Sequence, residues 1–524
     1  EEKIELEGLT KRGCLKKVSR SSLPSGTRVI GSRFHYKIKR HSAGSQKLKV
    51  KRLKVRLVVQ GQHMSKEKGD FVNAFSPVPH ASGVRTIMSI ATEQDWDAVA
   101  CDLTQGFIQA DLPKGEKTIY ISPPPGVEED PDVVYEVRRP LYGMPHSGRC
   151  LHVTWSNWLK EQGFYKVGYE GAMFAKDDGE DKILLSTHVD DSFITGSSTE
   201  KLKLFVDAIN ERFDATFEWN PSEYIGMEWE RDRVNHTSKL HQAAFSEKML
   251  KAYGAWQYPK PPLTPMRPDT RLSSEDQPEV ADPKLHRRYR AIVGAIGWLN
   301  SGTRPDLSYC YAELSKFAAR PGRVHMDAAE YCLAYISGTY EKGIVYRAGK
   351  SGEGNTLSGW VDADFAADLD TRRSHTGYLL MLNGGPVSWK STKQKSVSLS
   401  TAESEWYAAS EAGKEIIYLR RILDDFGFEQ KGPTTLYEDS RAVICMAENP
   451  VNRKSSRHID TRRHFIGELV AAGTVKLADC RTDEMVADAL TKSLPYPSFK
   501  KHRTTMMGEE VKQTKVYQVV MQVG

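Results

Sequence analysis

The chain has 524 residues, 39% of them hydrophobic and 27% charged, with a net charge of +6 at pH 7. That length is too great for one ordinary core and predicts two to four domains, while the mild positive charge permits a polyanionic partner without demanding one. No apolar run approaches the ~20 residues of a membrane span, and the seven cysteines are scattered, odd in number and free of any C-x-x-C pair, which argues against a disulfide framework and for a reducing compartment.

The first residues, "EEKIELEGLTKR", carry no signal-peptide pattern and no initiator Met. A piece of a longer product is therefore expected. Residues 34–61 alternate cations with apolar residues at period two around "SAGS", the pattern of a β-hairpin. Lys47, Lys49 and Lys51 share one face, and cations continue at Lys54 and Arg56. They are either edge guards or a phosphate-contacting face.

From 96 to 196 strands alternate with helices. "WDAVACDLTQGFIQADL" reads as a strand entering a turn and a short helix, and "TIYISPPPGV" as a strand stopped by prolines. In "RCLHVTWSNWLKEQGF" the residues Leu151, Trp155, Trp158 and Leu159 recur at helical spacing, as a core face does. "KILLSTHVDDSFITG" predicts two short strands meeting at 189–191. The Pro-rich stretch 254–282 is expected to connect domains, with helices from about 287 to 340. In "TRPDLSYCYAELSKF" Thr303 is placed to cap a helix, with Pro305 in its first turn and Asp306 at capping-box spacing. After a second linker at 349–355, three strands, a long helix, a strand, more helix, a strand and a last helix "DEMVADALTK" predict a mixed α/β domain.

The adjacent acids Asp190 and Asp191 are the first chemical signal. An isolated Asp-Asp is most often a solvated turn. A cation-assisted phosphoryl-transfer site needs a third carboxylate at another strand end, and Asp102 follows the apolar run "AVAC". By itself Asp102 could equally cap a helix or serve a turn.

The segments "KVRLVVQG", "FSPVPHASGVRTIMSIATEQDWDAVACDLTQGFIQADLPKGEKTIYISPPPG", "PLYGMPHSGR", "THVDDSFITGSS" and "YIGMEWE" follow one another in an order that resembles copia-type retrotransposon reverse transcriptases. The resemblance implies a right-hand polymerase, with fingers and palm over residues 1–240 and a helical thumb or connection over 241–348. It implies that Asp102, Asp190 and Asp191 hold the metal ions and that Phe107 lies under the nucleotide sugar and rejects a 2′-OH. It also implies that Arg56 faces the incoming triphosphate and that Arg149 belongs to the segment holding template and nucleotide. Two departures stand out: His188 where an aromatic is usual, and "MPHSGRCL" where the family has Gln and Trp.

A second set, "GWVDADFAAD", "STAESEWYAASEA", "LYEDSRAVICMAENP", "RHIDTRRHFIGELV" and "ADALTKSL", resembles the RNase H domain that follows these polymerases. This implies a domain over 356–495, a tail over 496–524, and metal-binding carboxylates Asp362, Glu405, Asp439 and Asp488. Ser400 and Glu403 have capping-box spacing, which leaves Glu405 free for a metal. Asp364 shares a strand face with Asp362, so alternation alone does not choose between them. His458 and His464, six apart, do not have zinc spacing; helix-surface positions and nucleic-acid or proton-transfer roles are both open.

The expected fold is thus α/β and multi-domain, a right-hand polymerase followed by an RNase H-like mixed sheet. The expected function is RNA- and DNA-directed DNA synthesis with degradation of RNA in hybrids. Mg²⁺, with Mn²⁺ as a substitute, is the expected cofactor. RNA template, DNA primer, RNA–DNA hybrid and dNTPs are the expected partners, without a membrane. Other Pol and Gag products are expected outside this chain, and the oligomeric state is left open. A cytoplasmic setting is expected, with a virus-like particle or the nucleus as alternatives. The competing reading is a decayed or domesticated fragment that binds nucleic acid without catalysis.

Overall fold

The structure is a computed structural model that describes residues 1–40, 50–268, 270–349, 354–448 and 457–509, with the backbone alone at 39, 40, 50–52 and 457–460. Residues 1–79 and 98–220 form one compact unit, and residues 80–97 with 221–524 form a second.

In the first unit a six-stranded sheet runs in the order Ala215–Trp219, Asp97–Leu103, Asp191–Gly196, Asp181–His188, Met173–Asp178, Tyr165–Val167. Its hydrophobic face is written into the strands. Val99, Cys101 and Leu103 are buried at period two while Asp102 between them faces out. The helix Ser147–Glu161 lays Leu151, Trp155, Trp158 and Leu159 into the same core, as its spacing predicts. Trp155 stacks on Trp158 at 5.2 Å and meets Phe213 edge-on at the same distance. Its Nε1 also donates to Thr187 Oγ1 at 3.0 Å, tying the helix to the strand that leads into the Asp-Asp pair.

The basic hairpin forms from Ser32–Arg40 and Val50–Val59. Its predicted "SAGS" turn, Lys47 and Lys49, and the side chain of Lys51 lie outside the described residues. Leu15–Ser19, Val133–Val137, Ile119–Ile121 and Val29–Ile30 make a further four-stranded sheet in this unit.

In the second unit the helix Pro283–Gly302 starts on Asp282, whose carboxylate accepts from the amides of Lys284 and Leu285. The predicted cap at Thr303 does not form. Thr303 instead donates to Gln242, and Asp306 is buried against Arg304 at 2.8 Å while accepting from Tyr335 at 2.7 Å. A buried guanidinium needs a counter-charge more than a helix start needs a cap, so Asp306 goes to Arg304. The Pro-rich stretch contributes to this core too, with Met266 and Leu272 buried among the helices.

This unit holds two sheets: a four-stranded one in the order Glu223–Tyr224, Met227–Asp232, Thr237–His241, Gly343–Arg347, and a five-stranded one in the order Gly385–Lys393, His375–Leu382, Ser358–Asp364, Thr434–Glu438, Val475–Asp479. The first three strands of the latter are antiparallel; Thr434–Glu438 pairs parallel with both its neighbours. The long helix Thr401–Asp425 buries one face, Trp406, Ala409, Ile416 and Leu423 among it. The predicted last helix is instead a 3-10 stretch, Val486–Leu490, followed by a helix Tyr496–Met506 that buries Phe499 and Met506. Among the described residues no helix is long and apolar enough to cross a membrane.

Candidate active sites

The first acidic site is built on a hairpin. Asp181–His188 and Asp191–Gly196 pair antiparallel with His188 opposite Asp191, so Val189 and Asp190 are the two turn residues. Val189 has φ +62, a conformation that a β-branched residue adopts only under strain. The Asp190 carbonyl accepts from Leu103 N at 3.0 Å, which fixes the turn against the strand bearing Asp102. Gly106 makes room for this approach: a Cβ there would lie 3.0 Å from Leu151 and 3.4 Å from the Asp190 Cβ.

The three carboxylates act on one another. Desolvation and then the charges of Asp190 and Asp102 push Asp191 up to about 6. Asp190 is raised by desolvation and by Asp102, against the pull of Arg56 and His188. Mutual repulsion of this kind is what a bound divalent cation relieves.

The other residues expected here divide into two groups. Arg56 on the strand Val50–Val59 lies with its Cζ 4.0 Å over the Tyr142 ring, and the Phe107 ring packs 5.0 Å from the same ring, tilted by 57°. Arg149 is elsewhere. It donates to the Phe75 carbonyl at 3.4 Å and lines a cleft of about 610 Å³ with Asp111, Glu116, Trp158 and Arg212, a cleft none of the three acids enters.

The second acidic site is more tightly closed. Asp362 lies in the central strand Ser358–Asp364, Glu405 in the first turns of the helix Thr401–Asp425, and Asp439 just past the strand Thr434–Glu438. Each offers an oxygen within 4.8 Å of the others, the one such set of three among the described residues. Asp102, Asp190 and Asp191 share a field but not this spacing. Asp488 joins from the 3-10 stretch, hydrogen-bonded to Asp362 and paired with Lys492 at 2.8 Å. Thr491 Oγ1 donates to Asp362, and the Ala363 amide donates to Glu405.

The helix start shows why Glu405 and not Glu403 reaches the set. Ser400 Oγ accepts from Glu403 N at 3.2 Å, and the Glu403 carboxylate turns back to accept from Leu399 N at 2.6 Å. Asp364 stays half-buried outside the set of three. His464 lies on the helix Arg457–Ala471, and the side chain of His458 lies outside the described residues.

A residue that the motifs did not single out is Glu438. The burial alternation Thr434, Leu436, Glu438 points it inward, and it is 0% exposed. Its Oε1 accepts from Ser440 N at 3.1 Å, while Oε2 is buried without a partner, as is Glu405 Oε2. Period-two alternation in "TTLYED" is the signal that finds it. With Asp362, Glu405 and Asp488 at 4%, 3% and 6% exposure, water cannot spread these charges. Desolvation, then Glu438, lifts Glu405 to about 11; desolvation, then Asp488, lifts Asp362 to about 6. Orphaned buried oxygens and an all-oxygen donor set fit a hard divalent cation.

Residues 17–267 match the family described as reverse transcriptase (RNA-dependent DNA polymerase). The chain is 32% identical over 502 residues to the retrovirus-related Pol polyprotein from transposon TNT 1-94 of Nicotiana tabacum, which covers 94% of this chain and 36% of that protein. It is 31% identical over 480 residues to the corresponding polyprotein from transposon RE2 of Arabidopsis thaliana, covering 91% of this chain and 32% of that protein. Over nine-tenths of its length the chain is similar to copia-type Pol polyproteins. It spans about a third of the length of these curated relatives. Its fold is that of a foamy viral protease-reverse transcriptase solved in complex with dsDNA, with a TM-score of 0.51 at 12% identity over 91% of this chain and 81% of that one. Within the segment matching the reverse transcriptase family lie Asp102, Asp190 and Asp191; the closed set of Asp362, Glu405 and Asp439 lies beyond residue 267.

Proposed function

We propose that this chain is an RNA- and DNA-templated DNA polymerase joined to a ribonuclease specific for RNA–DNA hybrids. The observation that carries the reading is the presence of two separate carboxylate sets, one on a hairpin within the reverse transcriptase domain and one closed over a mixed sheet after it.

In the first site Asp102, Asp190 and Asp191 would hold Mg²⁺, with Mn²⁺ able to substitute. Bound there, the ions supply charge to the primer 3′-oxygen and to the departing pyrophosphate. Phe107 would lie under the sugar of the incoming dNTP, where its ring would clash with a 2′-OH. Arg56 supplies positive charge for the triphosphate, and His188 sits across the hairpin from Asp191. In the second site Asp362, Glu405, Asp439 and Asp488 would hold the same class of ion. Lys492 and Thr491 keep two of those acids aligned. RNA is told from DNA by its 2′-OH groups and by the shape of the hybrid. The partners are an RNA template, a DNA primer and the hybrid made from them, with other Gag and Pol products encoded outside this chain and the work placed in the cytoplasm or a particle formed there.

The test is extension of a DNA primer on an RNA template by purified protein with Mg²⁺ and dNTPs, alongside cleavage of a labelled hybrid. Both activities are expected. Hybrid binding with neither activity would overturn the reading in favour of a nucleic-acid-binding relic.

A further inference from the structure

Tyr142 has no role in the reading above, yet it touches both residues assigned to the incoming nucleotide. The Arg56 guanidinium carbon lies 4.0 Å over its ring, and the Phe107 ring lies 5.0 Å away, tilted by 57°. The ring is held from the backbone. The Tyr142 carbonyl accepts from Val59 N at 2.8 Å, on the same strand as Arg56. The next residue, Gly143, has φ +90, and a Cβ there would fall 2.1 Å from the Val59 carbonyl oxygen. A Cβ on Gly61 would in turn fall 2.0 Å from the Gly143 carbonyl oxygen. Glycine at both positions lets the "LYGM" loop lie flush on the strand, which fixes the backbone that carries the Tyr142 ring.

Its polar end says the same. The hydroxyl is buried with no hydrogen-bond partner, so packing rather than hydrogen bonding fixes the side chain. Burial raises the hydroxyl's pKa, as do the charges of Asp190, Glu5 and Asp102, and Arg56 opposes them.

We propose that Tyr142 is a positioning residue of the polymerase site, whose ring sets the angle of the Phe107 sugar gate and holds the Arg56 guanidinium where a triphosphate would lie. This rests on the polymerase reading given above. A guanidinium on an aromatic face keeps its charge and its N–H donors free for a ligand, which a carboxylate partner would not allow. Tyr142 would therefore act on sugar selection through one neighbour and on nucleotide affinity through the other.

Single-nucleotide extension by the full chain, with dNTP and with rNTP, tests this. Phe107→Val serves as the reference for the gate. Tyr142→Leu is expected to lower discrimination against the ribonucleotide by about tenfold and to raise the dNTP KM several-fold, with kcat changed by less than about threefold, the pattern of lost ground-state positioning. Tyr142→Phe keeps the ring and is expected to restore both. If thermal melting shows Tyr142→Leu to be poorly folded, Tyr142→Met, which fills the volume without an aromatic face, carries the same readout. Loosened selectivity in Phe107→Val with both selectivity and KM unchanged in Tyr142→Leu or Tyr142→Met would overturn the proposal and leave the gate standing. Unchanged selectivity in Phe107→Val would overturn the gate itself, and the proposal with it.

Discussion

Glu438 shows how one residue can govern a site without belonging to its motif. It is fully buried, carries one unpartnered oxygen, and is the largest neighbouring charge acting on Glu405. Replacing it by Gln removes that charge and keeps the bond from Ser440 N. Glu405 should then give up its proton at lower pH, so that half-maximal Mn²⁺ binding, followed by electron paramagnetic resonance across pH, moves down by about one unit. An unmoved midpoint would show that Glu438 does not act on Glu405. The motifs named Asp439 and passed over Glu438 because motif reading ranks residues by family match, whereas burial depends on strand alternation. The choices between Glu403 and Glu405 were legible at this scale, since capping-box spacing is a local property and the Glu403 side chain does turn back to the helix start. Tyr142 was not legible, because its partners Arg56 and Phe107 are distant in sequence and meet it only in the fold.

Among the elements, the acidic hairpin carries a cost of its own. Val189 at φ +62 occupies the position that glycine fills most easily, a strain of roughly 1–3 kcal/mol for a β-branched residue. Val189→Gly should therefore raise stability in urea unfolding by about 1 kcal/mol, because the relief exceeds the entropy lost on fixing glycine. It should also slow extension, since a looser turn holds Asp190 and Asp191 less firmly. Lower stability in Val189→Gly would mean that the packing of Val189 on the hydrophobic core beside it outweighs its backbone strain. Strands and helices with strong periodicity, such as Asp97–Leu103 and Ser147–Glu161, were readable in advance because their apolar spacing is the fold's own spacing. The cap expected at Thr303 and the helix expected around Asp488 were not. A buried ion pair with Arg304 claimed Asp306, and the chain around Asp488 tightens to 3-10 geometry as it enters the carboxylate cluster.

At the scale of the whole molecule, the closed cluster couples stability to pH and to metal. Asp362 and Glu405 have folded-state values raised to about 6 and about 11, above the ordinary ~3.9 and ~4.3 of the unfolded chain. Below pH ~4 both states are protonated and the two acids contribute nothing to the difference. As pH rises the unfolded chain ionises while the folded cluster keeps its protons, so metal-free protein loses stability through both acids up to about pH 6 and through Glu405 alone above it. Melting in chelator should show Tm falling from about pH 5 to about pH 9, and Mg²⁺ should restore more of it at the alkaline end, where it replaces protons that are no longer held. A Tm in chelator that stays flat or climbs over this range would contradict the burial argument. The two-unit organisation was only partly visible in the sequence. Composition marked 254–282 as a connector, yet Met266 and Leu272 are core residues, since proline-rich chain can still supply apolar side chains to a neighbouring helix bundle.

The central claim is that two independent carboxylate sites lie on one chain, and separating them tests it most directly. Asp190→Asn and Asp439→Asn should be assayed side by side for primer extension on RNA and for cleavage of a labelled RNA–DNA hybrid, with melting curves to establish folding. Asp190→Asn is expected to abolish extension and spare cleavage, and Asp439→Asn to abolish cleavage and spare extension. Loss of both activities from either substitution in a folded protein would contradict the account.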